Sequence, residues 1–197
     1  ATIYQELCFS CHGEDGRGVA MAGAAGGSMM SPPIAGSPRV QGHRDYVIRV
    51  LLHGLIGPLN ERNYTNVMVP MGTQKDDWVA AIASYIRNDF GNSGSFVTEA
   101  DVARVRALTP NRRTSWTAAE AERLSPVAIA MEPAWKVTTS HNPATGGDAL
   151  NTIGWSSQAP QAAGMCFQIE LPAATTVSEI QFTSPGGVLV ARGGGAG

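Results

Sequence analysis

Two cysteines and a histidine near the beginning of the chain constrain its fold more than any other feature. Cys8, Cys11 and His12 form the pattern C-x-x-C-H. Two thiols at this helical spacing can reach the two vinyl groups of one haem, and the adjacent imidazole then lies beneath the iron. With 3 Cys and 4 His in 197 residues, chance gives such a match in about 6 of 10,000 chains. The motif therefore predicts one covalently attached c-type haem per chain.

Two other chemistries use a C-x-x-C pair. A thioredoxin-like redox motif follows a strand, whereas residues 1–11 have the apolar spacing of a helix. A zinc site needs ligands from a second cluster, and the other histidines, His43, His53 and His141, have no paired spacing. The third cysteine, Cys166, lies far along the chain, so a disulfide framework is not indicated.

The iron needs a second axial ligand if the haem is to carry electrons, and a thioether raises the potential relative to a second imidazole. Met68 and Met71 are candidates, because they lie in the aperiodic stretch 67–72 just before a clear helix. His43 and His53 are rivals, and His53 ends a helix predicted over 45–53. The residues alone leave this choice open.

Three helices are predicted in the first 92 residues: over 1–11, over 45–53, and from Asp76 to a stop at Gly91. The long loops between them suit a small all-α domain folded around a flat cofactor. Because the first helix has no N-cap and residues 193–197 are a glycine-rich tract, we expect the sequence to be an excerpt of a longer polypeptide.

The segment 8–92 resembles the class I cytochromes c. The resemblance is carried by the C-x-x-C-H motif, Pro-Pro-Ile at 32–34, the stretch 67–72 and Tyr-Ile-Arg-Asn at 85–88. It implies that the first and last helices cross, with Tyr4 near Tyr85. It also implies that the carbonyl of Pro32 accepts a hydrogen bond from His12, as partners of a metal-bound imidazole commonly do.

The same resemblance implies which residues form the haem site and what the chain does. Met68, eight residues before Asp76, leaves more loop to cross a haem face than Met71, five residues before it. His12 and Met68 are therefore expected as iron ligands, with Cys8 and Cys11 as attachment residues. The family implies an electron carrier rather than an enzyme, in the periplasm or otherwise outside the cytoplasm, with protein redox partners as donor and acceptor.

More narrowly, residues 36–42 and 57–64 look like cytochrome domains joined to quinone-dependent β-propeller sugar or alcohol dehydrogenases. A built-in haem acceptor domain of such an enzyme is therefore an alternative, and other domains of the same complex would then be partners. An oxygen- or peroxide-activating haem enzyme is disfavoured, since it needs an open sixth position that a methionine ligand would close.

The sequence after the segment that resembles a cytochrome c predicts two further parts of the chain. Residues 96–131 contain capping boxes at Thr98 and Thr117 and are expected to form a helical linker, whose arginines form a basic cluster. Residues 132–197 alternate apolar and polar side chains and resemble part of a discoidin-like β-sandwich of the coagulation-factor C type, which implies a surface- or carbohydrate-binding module as another alternative. There, Cys166 is expected to be a small buried residue.

The fold expectation is thus multidomain: an all-α class I cytochrome c domain over 1–95, the linker, and a partial all-β, jelly-roll-like region. Charged residues are 15% of the chain and the net charge is −2, which argues against a nucleic-acid partner. No run of 18 apolar residues is present, so no membrane span is predicted in this segment.

Overall fold

The computed structural model describes residues 2–21, 28–59, 64, 66–151, 154–177 and 179–180. They divide into two compact units, Ala1–Val127 and Ala128–Gly197. Within the described residues, no helix is both long enough and apolar enough to cross a membrane. The glycine-rich tract 193–197 lies outside the described residues.

Unit 1, Ala1–Val127, is mainly helical. Its elements in chain order are a π-helical turn Tyr4–Cys8 that continues as α1 (Phe9–His12), α2 (Pro38–Gln41), α3 (Arg44–His53), β1 (Leu55–Ile56), α4 (Asp76–Asn88), α5 (Glu99–Leu108), β2 (Trp116–Thr117) and α6 (Ala118–Arg123). All three helices predicted in the first 92 residues are present, and α3 begins at Arg44.

The core of unit 1 lies where α3, α4 and α5 pack against one another. Ile48 on α3, Val79 on α4 and Val105 on α5 are each fully buried. Eight of the ten residues of α3 are buried, because neighbouring helices cover it on more than one side. Helix α3 is therefore the central element of the unit, and it also contributes one side of the site described below.

The N-terminal helix meets the C-terminal part of α4 through aromatic side chains. The ring of Tyr4 lies 5.6 Å from that of Tyr85 and 4.9 Å from that of Phe90, measured between centroids. The Tyr4 hydroxyl donates a hydrogen bond of 2.6 Å to the Gly13 carbonyl. The expected proximity of Tyr4 and Tyr85 is confirmed, and this contact fixes the helix that carries the C-x-x-C-H motif.

The segment 96–131, predicted as a helical linker, contributes side chains to the same core. The predicted capping box is present at Thr98 and Asp101. Val102 and Val105 of α5 are fully buried, and Trp116 is 2% exposed. Strand β2 pairs in parallel with β1, so that Trp116 is opposite Leu55. These residues complete the core of unit 1, so the segment does more than connect two domains.

The basic cluster of this segment is used for internal ion pairs. Arg104 pairs with Asp45, Arg106 with Asp76 and Arg112 with Glu120. From the sequence alone, these arginines are expected to form a solvated face or a docking surface for an acidic partner. In the structure, Arg104 and Arg106 attach α5 to α3 and α4, whereas Arg112 joins the residues after α5 to α6.

Unit 2, Ala128–Gly197, contains an antiparallel pair of strands. Strand β3 (Lys136–Thr139) pairs with β4 (Phe167–Glu170), and a 3₁₀ helix, Pro143–Leu150, follows β3. The rings of Trp155 and Phe167 lie 5.3 Å apart. The predicted antiparallel pairing is therefore present in the described part, while the likeness to a discoidin-like sandwich stays a prediction.

Cys166, in unit 2, is exposed. The expectation that it is a small buried residue is wrong. Its backbone instead closes the strand pair: the Cys166 carbonyl accepts a hydrogen bond of 3.0 Å from the Ser140 amide.

Candidate functional site

An apolar cleft in unit 1 brings the sequence-predicted residues together. Cys8, Cys11, His12 and Met68 all line it, and so does Met71. Most of the remaining lining is aliphatic and comes from α3 and the loops beside it, including Val47, Val50, Leu51, Leu55 and Ile34. A cleft with this lining excludes water from a flat apolar group and presents a few polar atoms to it.

The two cysteines lie at the mouth of this cleft on the N-terminal helix. Both are partly exposed free thiols, three residues apart and thus on the same side of the helix. Burial is the main cause that raises the pKa of the Cys8 thiol, and the charge of Cys11 raises it further. Their exposure and spacing suit two thioether bonds to one cofactor edge.

The imidazole of His12 is oriented by hydrogen bonds on its Nδ1 side. The Ser31 hydroxyl lies 3.1 Å from Nδ1 and donates its proton to the Cys11 carbonyl at 2.8 Å. Since a hydroxyl has one proton, Ser31 can only accept from His12, so Nδ1 carries the hydrogen. The lone pair of Nε2 is thereby left for a metal, as is common where a partner group holds the other nitrogen of a metal-binding histidine.

The backbone of Pro32 also acts on His12: it raises the pKa of the imidazole, whereas burial, the larger cause, lowers it. Because proline has no amide hydrogen, the group involved is the Pro32 carbonyl, and the expected hydrogen bond to His12 stays a prediction. Burial thus favours the neutral imidazole that metal coordination requires. Ser31 is a functional residue that the sequence analysis missed, because a serine before Pro32 has no distinctive local signal.

The methionine stretch is held against the end of α3 by main-chain hydrogen bonds. Met68 and Leu55 exchange two such bonds, of 3.1 and 3.0 Å, and the Met71 amide donates to the Leu51 carbonyl at 2.7 Å. Gly54 permits this close approach, since its φ is +80° and a Cβ there would clash with the Met68 carbonyl. The sequence predicted only that a helix ends at His53, directly before Gly54.

Residues of the segment 96–131 also hold the methionine stretch in place. Arg106 on α5 donates hydrogen bonds to the carbonyls of Gly72 and Gln74, and its Nε lies 2.8 Å from Asp76 Oδ1. The Trp116 amide donates to the Gly54 carbonyl at 3.0 Å. The loop with both methionines is therefore positioned by residues far away in sequence.

The two rival histidines have other contacts, and neither lines the cleft. His43 caps α3: its Nδ1 accepts a hydrogen bond of 3.2 Å from the Asp45 amide. His53 Nε2 lies 2.8 Å from the Thr109 hydroxyl, and its ring packs edge-on against Trp116.

A polar group interrupts the apolar lining where α2 and α3 meet. Arg39 and Tyr46 both line the cleft. The Tyr46 hydroxyl is buried and has no hydrogen-bond partner among the described residues. Burial raises the pKa of Tyr46 to about 12, so the group is a neutral donor near pH 7. A buried donor without a partner destabilises the folded protein. A ligand oxygen in the cleft that accepted a hydrogen bond from this hydroxyl would remove that cost.

The residues of the cleft fit a haem. The thiol pair matches its vinyl groups, the Nε2 lone pair of His12 matches its iron, and the aliphatic lining matches its apolar faces. Haem also carries carboxylates, for which Arg39 and the Tyr46 hydroxyl are suitable donors. When bound, the haem supplies an iron that changes oxidation state by one electron.

Comparison with known proteins also indicates that the chain binds haem. The model of the family described as Cytochrome c matches residues 1–89. Cytochrome c-552 of Thermus thermophilus is 31% identical over 125 residues, which cover 57% of this chain and 88% of the relative. Cytochrome c-552 of T. thermophilus strain ATCC 27634 / DSM 579 is also 31% identical over 125 residues, covering 57% and 78%. Taken with the C-x-x-C-H motif and the cleft around it, these matches show that the chain belongs to the cytochrome c family and binds covalently attached haem c.

Proposed function

We propose that this chain carries single electrons through a haem whose iron is held by His12 and Met68 and whose vinyl groups are bonded to Cys8 and Cys11. The observation that supports this most is that all four residues line one cleft. The hydrogen bond from His12 Nδ1 to Ser31 leaves Nε2 for the iron. Retention of both axial ligands in both oxidation states keeps structural change on electron transfer small.

The choice of Met68 over Met71 rests on the family resemblance, since the backbones of both methionines are anchored at the amide and at the carbonyl. Met68 is held by Leu55 at both its amide and its carbonyl, and Leu55 itself lines the cleft. An axial ligand needs a backbone that keeps its sulfur at one place. Met71 is assigned to packing beside the cofactor.

We also propose that the haem-binding unit extends to about residue 127, beyond the boundary at residue 95 that the sequence suggested. Arg106 and Trp116, both after residue 95, hydrogen-bond to the loops beside the cleft. Fewer than half of the 197 residues precede that boundary, whereas the similarity to cytochrome c-552 covers 57% of the chain. Residues 96–127 therefore belong to the haem domain.

The location that we propose is extracytoplasmic, such as the periplasm, because c-type haem is attached after export in this family. Protein donors and acceptors would exchange electrons with the haem there. Cell fractionation checks this location, since haem-loaded chain in the cytoplasm would contradict it.

A spectroelectrochemical titration tests the function. The purified chain should be reduced and reoxidised repeatedly in a transition that fits one electron, with low-spin haem spectra in both states, because both axial positions are filled. Carbon monoxide should bind slowly or not at all to the reduced protein. A high-spin oxidised spectrum with fast carbon monoxide binding would indicate an open sixth position and a different function.

A further inference from the structure

Three charged or polar side chains from separate parts of unit 1 converge beside the haem cleft. Arg39 is on α2, Tyr46 on α3 and Glu122 on α6. Arg39 Nε is hydrogen-bonded to Glu122 Oε1, and the charges of both act on the Tyr46 hydroxyl. Arg39 and Tyr46 line the cleft, so Glu122 contacts the cleft through Arg39. Glu122 lies well beyond the 1–89 family match.

Helix α6 holds Glu122 in a defined position. Ala121 is fully buried, and Ser125, two residues after the end of the helix, donates to the Ala121 carbonyl at 2.8 Å. The buried Arg49 of α3 donates to the Ser125 hydroxyl at 3.1 Å. The pair between Arg39 and Glu122 is therefore formed by side chains on a packed framework. Its side chains are 24% and 43% exposed, so the pair sits at the edge of the cleft.

Arg39 and Tyr46 can together bind a second carboxylate besides that of Glu122. A guanidinium has five N–H donors in a planar fork and can serve two carboxylates at once. The Tyr46 hydroxyl, which is without a partner in the described part of the chain, adds a neutral donor. Haem brings carboxylates to the cleft, so a haem carboxylate would meet an arginine that Glu122 already orients.

We propose that Glu122 is a positioning residue for the haem: it fixes Arg39 beside a haem carboxylate, and it lowers the reduction potential. Reduction adds negative charge to the cofactor, and a nearby carboxylate opposes this. The negative charge of Glu122 also offsets part of the positive charge of Arg39, which would otherwise compensate the haem carboxylate. A helix outside the family match thereby tunes the redox centre. This inference rests on the proposed function only in that haem must occupy the cleft.

The test compares two single substitutions in the full-length haem-loaded chain. Glu122→Gln removes the carboxylate that pairs with Arg39. Glu120→Gln is the matched control, because it removes the same charge from the same helix, where Glu120 pairs with Arg112 at 2.9 Å and does not line the cleft. We expect Glu122→Gln to raise the midpoint potential clearly more than Glu120→Gln, with the low-spin spectrum retained. Equal shifts would overturn the proposal.

A double-mutant cycle separates action through Arg39 from action through charge alone. Glu122→Gln should raise the potential less in an Arg39→Gln background than in the unsubstituted chain. The same rise in both backgrounds would show that Glu122 does not act through Arg39.

If Glu122→Gln does not mature, Glu122→Asp keeps the charge but shortens the reach to Arg39. A potential shifted from that of the unsubstituted chain would then support positioning, and an unchanged one would contradict it. Loss of the haem spectrum from the unsubstituted chain would instead be a failure of the proposed function, so the two outcomes are distinguishable.

Discussion

Replacement of Met68 by alanine should convert the oxidised protein from a low-spin to a high-spin haem. Alanine cannot reach the iron, so a weak ligand such as water or an open position remains. The weak far-red absorption band that arises from sulfur-to-iron charge transfer should disappear. Because axial-ligand identity spreads haem potentials over about 0.8 V, we expect the midpoint potential to fall by on the order of 0.1 V or more. Absorption spectroscopy and potentiometry measure all three effects.

The matched control is Met71→Leu, which keeps an apolar side chain of similar volume in the same loop. Its spin state, far-red band and potential should stay close to those of the unsubstituted protein. Loss of the band in Met71→Leu but not in Met68→Ala would reverse the assignment. If both variants kept the band, neither methionine would be the ligand.

A fragment ending at residue 127 should hold low-spin haem, whereas one ending at residue 95 should not. The shorter fragment loses Val102, Val105 and Trp116 from the core and Arg106 from the methionine loop. A fully buried apolar side chain contributes about 1.5–3 kcal/mol. Three such losses approach the total stability of a domain, about 5–15 kcal/mol. The sequence alone suggested the opposite result, since both helices of the matched segment precede residue 95.

Haem spectra and thermal unfolding of the two fragments decide between these boundaries. Within the full chain, Val105→Ala should lower the unfolding free energy of unit 1 by about 2–3 kcal/mol. Leu108→Ala, on the same helix but 64% exposed, should change it little. A 1–95 fragment that unfolds cooperatively with low-spin haem would restore the boundary at residue 95.

Local signals account for what could be predicted from the sequence. The C-x-x-C-H motif, the apolar spacing of α3 and α4 and the capping box at Thr98 each depend on residues within a few positions of one another. The contact between Tyr4 and Tyr85 is distant in sequence, and it came from family resemblance rather than from periodicity. These features were enough to predict a covalently attached haem and the helices of the haem-binding segment.

The remainder depends on contacts between distant segments. Pairing of Leu55 with Trp116 involves strands of two residues, which are too short for an alternating pattern to reveal. Arg106 and Glu122 look like ordinary surface charges until the fold brings them to Gly72 and Arg39. The role of Ser31 likewise emerges only when its hydroxyl lies between the Cys11 carbonyl and His12.

The central claim is that haem is bonded to Cys8 and Cys11, and the mass of the denatured chain tests it most directly. After denaturation and extraction with acidified organic solvent, intact-protein mass spectrometry should find the polypeptide mass increased by one haem. Proteolysis should assign that increase to the peptide that contains both cysteines. A chain that releases its haem into the solvent, and whose remaining mass is that of the polypeptide alone, would contradict the account.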